Sequence, residues 1–128
     1  MEKMNLEMVT VGDCIDNFNM KGKVAVINDG KVIGFVNVGS TDEKEYDNCG
    51  ELHAIYIING YKGNGFGKKL INIGIEELKK MGYNKMIIGC LEGNPSNEFY
   101  KHIGGKFIKK RVFEKLNLPE NVYYFDKI

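Results

Sequence analysis

Residues 51–71 read ELHAIYIINGYKGNGFGKKLI. An apolar run, a glycine-rich loop and an apolar stripe at helical spacing follow one another without a break. The run 51–58 starts polar at Glu51 and then turns apolar throughout, the pattern of a strand buried on both faces. From Gly65 to about Met81 the residues Phe66, Leu70, Ile71, Ile73, Ile75, Leu78 and Met81 predict the inner stripe of a helix. Lys68, Lys69, Asn72, Glu76, Glu77, Lys79 and Lys80 fill its other side, and Gly82 suits a left-handed stop. Between strand and helix stand Gly60, Gly63, Gly65 and Gly67. The first amides of a helix have no partner within it and point at whatever lies above its start. Glycines let a ligand come close to such amides because no Cβ intervenes. Lys62, Lys68 and Lys69 add positive charge, so the loop reads as an anion cradle.

The flanking sequence extends the pattern. Upstream, KVAVINDGKVIGFVNV (23–38) predicts two strands joined at Asn28-Asp29-Gly30, an Asp-Gly hairpin signal. Residues 41–50 are polar and read as a loop. Downstream, 84–91 (NKMIIGCL) is a second buried strand, and a short helix runs from about Pro95 to His102, closed by Gly104-Gly105. Residues 106–116 and 121–128 predict two more strands. The first 22 residues form a weakly patterned arm, either irregular or carrying a short strand near Leu6–Val11. The expected order is β-β-β-α-β-α-β-β in one mixed α/β domain over residues 1–128.

Composition narrows the function classes. The chain has 128 residues, 43% hydrophobic and 27% charged, as in an ordinary globular domain. A net charge of +1 predicts no bulk attraction to nucleic acid or a membrane surface. No apolar run approaches the length of a bilayer span. The start, MEKMNLEMVTVGDCIDNF, lacks the basic and apolar regions of a signal peptide. Cys14, Cys49 and Cys90 form no C-x-x-C pair, which argues against a disulfide framework or zinc site and fits a cytoplasmic chain with packing cysteines. No grouping suggests a metal site.

Several families place a glycine loop before a helix. The dinucleotide motif G-x-G-x-x-G fails, because alignment on Gly63 and Gly65 puts Lys68 at its last position. The P-loop G-x-x-x-x-G-K-[ST] fails at both ends, at Lys62 and at Lys69. The stretch Lys62-Gly63-Asn64-Gly65-Phe66-Gly67 instead resembles the [QR]-x-x-G-x-[GA] loop of the GNAT N-acetyltransferase superfamily, with Lys62 replacing Gln or Arg. The whole of 51–71 resembles that superfamily's central strand and helix. EGNPSNEFYKHIGGKF (92–107) resembles its later signature, an Asn followed by a short helix carrying Phe-Tyr. The resemblance covers roughly Val24 to the C-terminus and implies an α/β (α+β mixed) GNAT-like fold: a mostly antiparallel mixed sheet with a splayed central strand and flanking helices.

It also implies a chemistry, acetyl transfer from acetyl-CoA to a primary amine. Loop amides of Gly63, Asn64, Gly65, Phe66 and Gly67, with Lys62 and Lys68, would hold the pyrophosphate. The backbone of Ile55, Tyr56 and Ile57 would pair with the pantetheine, their side chains lying in the core, and Asn94 would bond it too. An amine arrives protonated at neutral pH and needs a base. Glu51 stands where some members carry a catalytic carboxylate; otherwise it is a solvated strand end. His53 shares its strand face and is the other base candidate. Tyr100 matches the tyrosine that protonates the departing thiolate. His102 is expected to point to solvent, and the basic KFIKKR (106–111) to be the wet face of a strand.

One departure bears on activity. Superfamily members carry helices before the first hairpin that wall the acceptor side, and here about twenty residues precede it. Three expectations follow: a naturally short enzyme, a wall supplied by a partner subunit such as a second copy in a homodimer, or a CoA-binding module without catalysis. A nucleotide-binding protein is a further alternative. The acceptor is a small-molecule or peptide amine that the sequence does not name.

Overall fold

The computed structural model describes residues 9–15, 21–28, 30–61, 63 and 65–128. Seven strands and two helices follow in the order β1 (Val9–Ile15), β2 (Lys21–Asn28), β3 (Val32–Ser40), β4 (Cys49–Ile57), α1 (Phe66–Lys80), β5 (Lys85–Leu91), α2 (Ser96–His102), β6 (Lys106–Phe113) and β7 (Leu118–Phe125). The strands build one sheet in the order β1-β2-β3-β4-β5-β7-β6. Every neighbouring pair is antiparallel except β4 and β5. A parallel neighbour requires a crossover, and α1 provides it. The mixed, mostly antiparallel sheet is therefore as the sequence predicts.

The arm is more ordered than expected. Val9–Ile15 is a full strand, paired from Val9↔Ile27 to Ile15↔Lys21. Thr10, Gly12 and Asp13 weaken its apolar alternation, and pairing with β2 supplies what local preference does not. The earlier part of the suggested Leu6–Val11 strand lies outside the described residues, as does Asp29 of the predicted hairpin turn.

Both helices pack on one face of the sheet. Leu70, Ile71 and Leu78 of α1 join Ala25, Ile27, Val36, Val38 and Leu52 in the main core, and Tyr100 of α2 joins it beside Tyr123 and Phe125. The helix stripe is as the spacing predicts, with one correction: Glu77 is buried and bonded to Lys80 at 3.2 Å. Its place one residue before Leu78 puts it at the border of the stripe. On the opposite face a smaller cluster, Cys49, Ile87 and Val122, is covered by Tyr46, Ile108 and Tyr124.

The sheet opens in its middle. β4 and β5 pair only from Cys49↔Lys85 to Leu52↔Ile88. Beyond that point β4 stays paired with β3 through Val36↔Ile55, Phe35↔Tyr56 and Gly34↔Ile57, while β5 turns to β7. This is the splayed central strand. A β-bulge sits at its start: Asn37 pairs with Ala54 and Val38 with Leu52, leaving His53 as the extra residue.

Candidate functional site

The opening between β4 and β5 leads on the helix-free face into a cleft of about 780 Å³. Glu51, His53 and Ala54 of β4, Gly89 of β5, Arg111 of β6 and Glu120 of β7 line it, with Asp42 and Glu43 from the 41–48 loop and Glu114 and Lys115 from the β6–β7 turn. The lining carries more carboxylates than cations.

Glu51 is not a solvated strand end. It is 5% exposed, and both of its oxygens are held. Thr41 Oγ1 donates to Oε1 at 2.7 Å and Arg111 donates to Oε2 at 2.6 Å. The same guanidinium donates to Glu120 at 2.5 Å and to Glu43 at 3.2 Å. Arg111 thus spans β4, β7 and the 41–48 loop. Burial pulls its pKa down, but the hydrogen bonds and negative charges of Glu51 and Glu120 together outweigh burial and raise it, so it stays charged. Gly89 makes room for it: a Cβ there would lie 2.6 Å from Glu120 Oε2 and 2.7 Å from an Arg111 terminal nitrogen.

Arg111 and Lys109 correct the reading of 106–111 as a wet strand face. Lys109 bonds Glu43 at 2.6 Å and Glu45 at 3.0 Å. A strand that alternates basic and apolar residues looks solvated in isolation. Here a loop distant in sequence folds over its basic face.

His53, the bulge residue, is partly buried. Its Nε2 lies 2.7 Å from the Ser40 carbonyl oxygen and its Nδ1 lies 3.7 Å from Glu51 Oε2. The two base candidates are therefore brought together in the cleft.

The residues expected to hold a pantetheine line the open half of β4. Ile55 and Ile57 pack against the main core as expected, but Tyr56 is 51% exposed. The strand was expected to be buried on both faces. Alternation turns Tyr56 to the helix-free face, where Phe35 is its ring neighbour at 6.1 Å. The free edge beyond Leu52 leaves backbone N–H and C=O groups of this half without a β5 partner, as an extended amide ligand would need.

The glycine loop leads directly into α1. Gly65 caps the helix at φ 80°, a left-handed conformation that glycine adopts without Cβ strain. Lys69 N–H is bonded to the Gly65 carbonyl, so the amides of Phe66, Gly67 and Lys68 precede the first intrahelical bond and point outward. Lys68 is exposed beside them, and Phe66 packs its ring 6.2 Å from Tyr61. Gly63 is also left-handed, at φ 84°. Lys62 and Asn64 lie outside the described residues.

On the helix face, Tyr100 is 5% exposed, packed between Phe99 and Tyr123. Burial, with a smaller contribution from Cys90, pushes its phenol up to about 12. Asn94 Oδ1 accepts from Ser96 N–H at 2.8 Å, which makes it a turn residue at the start of α2. His102 is exposed, as expected. Sequence reasoning missed Asn97. Its side chain donates to the Leu91 and Asn94 carbonyls and accepts from Tyr123 and Asn121, tying α2 to β5 and β7. It also missed Thr41, Glu43, Arg111 and Glu120, which lie on the 41–48 loop, β6 and β7, segments that only the folded sheet brings together. Among the described residues no helix is long and apolar enough to cross a membrane.

The fold agrees with the comparisons to known proteins. The chain belongs to the acetyltransferase (GNAT) family, whose model matches residues 7–104. It is 32% identical over 91 residues to an uncharacterized N-acetyltransferase, YuaI, of Bacillus subtilis (strain 168), a match that takes in 71% of this chain and 53% of that protein. A second relative, the uncharacterized N-acetyltransferase MJ1207 of Methanocaldococcus jannaschii, is 37% identical over 90 residues, 65% of this chain and 37% of that protein. The match thus spans about half, or less, of the length of these curated relatives. Among solved structures, a GNAT family acetyltransferase from Elizabethkingia anophelis with acetyl-CoA bound superposes with a TM-score of 0.71 at 14% identity, covering 95% of this chain and 99% of that one. A Bacillus subtilis acetyltransferase in complex with CoA gives 0.70 at 15% identity, covering 94% and 99%. At such identities the likeness is one of fold.

Proposed function

We propose that this chain is an acetyl-CoA-dependent N-acetyltransferase that passes the acetyl group directly to a primary amine within a ternary complex. The observation that carries it is the one-sided pairing of β4 beyond Leu52, in a chain of this family. That edge offers Ile55, Tyr56 and Ile57 to the pantetheine amides. The α1 amides at Phe66, Gly67 and Lys68, the Gly63 and Gly65 turns, and the flanking Lys62 and Asn64 take the pyrophosphate. Asn94 bonds the pantetheine from the start of α2. The acceptor enters from the helix-free face, where the carboxylate-lined cleft suits an amine that arrives as an ammonium ion. Two neighbouring structures carry CoA or acetyl-CoA, which supports the same cosubstrate here.

Acetyl transfer needs a proton removed from the amine and negative charge stabilised on oxygen and then sulfur. The Glu51–His53 pair stands on the acceptor face and removes the proton. Tyr100 stands on the helix face. A phenol held up to about 12 keeps its proton throughout the working range. Its hydroxyl hydrogen bond stabilises the departing thiolate, and backbone amides of the open half of β4 receive the carbonyl oxygen.

Calorimetric titration with acetyl-CoA tests the cosubstrate, with saturable binding expected. No binding at millimolar ligand overturns the proposal. Thiol release measured over a panel of amines separates an enzyme from a module that only binds: a lysine peptide, a peptide with a free N-terminal amine, a small diamine and an aminoglycoside. Binding without release by any of them supports the module.

A further inference from the structure

We infer that the proton acceptor in this reaction is His53 Nδ1, and that Glu51 is a positioning residue that supplies the counter-charge. The inference rests on the acetyltransferase reading and assigns the base within it. A carbonyl oxygen only accepts hydrogen bonds, so the 2.7 Å contact between Ser40 O and His53 Nε2 places the ring proton on Nε2. In the neutral ring the lone pair is then on Nδ1, in a ring that lines the cleft. Glu51 has no comparable capacity. Thr41 donates to one of its oxygens, Arg111 to the other, and it is almost fully buried. Protonation would weaken both bonds, because a neutral carboxyl is a poorer acceptor than a carboxylate. Glu51 Oε2 lies 3.7 Å from Nδ1, a carboxylate charge beside the nitrogen that receives the proton.

The bulge is what makes this arrangement. Regular pairing would alternate residues 51, 52 and 53 across the sheet with each opposite a β3 residue. The extra residue at 53 instead turns its ring back over the Ser40 carbonyl. The charged groups that line the same cleft are Glu51 of β4, Arg111 of β6 and Glu120 of β7. Asp42 and Glu43 of the 41–48 loop and Glu114 and Lys115 of the β6–β7 turn complete the set.

One ammonium N–H bond breaks, its proton goes to Nδ1 and the electron pair stays on nitrogen. That pair forms the C–N bond to the thioester carbon, and the carbonyl pair moves to oxygen. The carbonyl reforms, the C–S bond breaks, and sulfur takes a second proton from the amine nitrogen. The imidazolium returns its proton to water.

Two measurements test the assignment. Nitrogen-15 NMR of the full chain, which has two histidines, reads the tautomer of His53 without any turnover. His53→Gln assigns the signal. The expected result is a bare Nδ1 that takes the proton on acidification; a ring carrying its neutral-state proton on Nδ1 overturns the inference. The second measurement is the pH profile of kcat/KM with whichever panel amine turns over fastest. His53→Gln keeps an N–H donor for Ser40 but has no basic nitrogen. It is expected to lower kcat about 100-fold or more and to remove the acid limb, with acetyl-CoA affinity within about two-fold. Glu51→Gln is expected to lower kcat but to keep that limb. A profile in which Glu51→Gln abolishes the limb while His53→Gln retains it assigns the base to Glu51 and overturns the inference alone. Absence of wild-type turnover across the panel overturns the acetyltransferase reading instead, and the NMR result separates the two failures.

Discussion

The two halves of β4 are built to opposite rules. From Gly50 to Leu52 the strand is paired on both edges, with β3 and with β5. From Ala54 to Ile57 it is bonded to β3 alone. The closed half carries Leu52 on one face, in the core, and Glu51 on the other, under Arg111. The open half carries the exposed Tyr56 and an unpaired edge. The closed half, paired on both edges and with Leu52 in the core and Glu51 under Arg111, is expected to carry more of the stability than the open half. A ligand can therefore use backbone groups that folding left free, at little cost to the fold. The comparison predicts that changes in the closed half act on stability, whereas changes at the gap act on turnover.

Arg111→Ala is the largest expected effect. It leaves Glu51 and Glu120, both nearly buried, with Glu43 beside them and no cation between. Removing one partner of a buried charge cluster costs about 3–5 kcal/mol. Urea unfolding at neutral pH measures it. Arg111→Met with Glu51→Gln and Glu120→Gln should recover much of the loss, because no unpaired charge remains. A loss below about 1 kcal/mol for Arg111→Ala would show that the closed half does not depend on this cluster, and the comparison would break.

Tyr100→Phe tests the other half. The ring packing against Phe99 and Tyr123 is preserved, and no described residue is bonded to the hydroxyl that is removed. Stability should change by less than about 1 kcal/mol. Losing a hydrogen bond to a developing thiolate should lower kcat about 10- to 100-fold, the equivalent of about 1.5–3 kcal/mol, with acetyl-CoA binding little changed. A variant that loses stability but not turnover would move Tyr100 from the site to the core.

These partners differ in how far the sequence reveals them. The helix stripe of α1, the strand at 85–91 and the left-handed glycines follow from spacing and backbone chemistry within a few residues, and they stand where the sequence puts them. The splay was legible only through family resemblance, because pairing that stops after Leu52 leaves no local mark. Arg111 was misread for a related reason. It lies 60 residues from Glu51, on a strand whose alternation is that of any half-wet edge. Nothing in KFIKKR states that the 41–48 loop will cover it. His53 was visible as a candidate, but the bulge that distinguishes its ring from that of an ordinary strand residue depends on β3 register. β1 was obscured by its polar residues, and its pairing with β2 defines it.

The smallest expected effect is alkaline. Burial, aided by Glu51, pushes the Cys49 thiol from 9.0 up to about 11, and burial, aided by Glu120, does the same for Cys90. Tyr100 moves the same way, from 10.0 to about 12. In each case the fold favours the protonated form. The associated stability is fully present below the unfolded pKa and is lost as pH rises through the folded one. The loss starts near pH 9 with the two thiols, where it should reach about 1 kcal/mol, and steepens toward pH 11. Urea midpoints at pH 7 and 9 measure it, and Cys49→Ala should remove about half of the difference. The two thiols also compare the two halves of β4 directly. Cys49 sits in the closed half, while Cys90 sits on β5 beyond the last β4 pair, beside the gap. If the gap admits water, Cys90 reacts with a thiol reagent at lower pH than Cys49 does. Equal reactivity profiles would mean that the opening is as dry as the paired region, and that an incoming pantetheine has to part the strands further before it can bind.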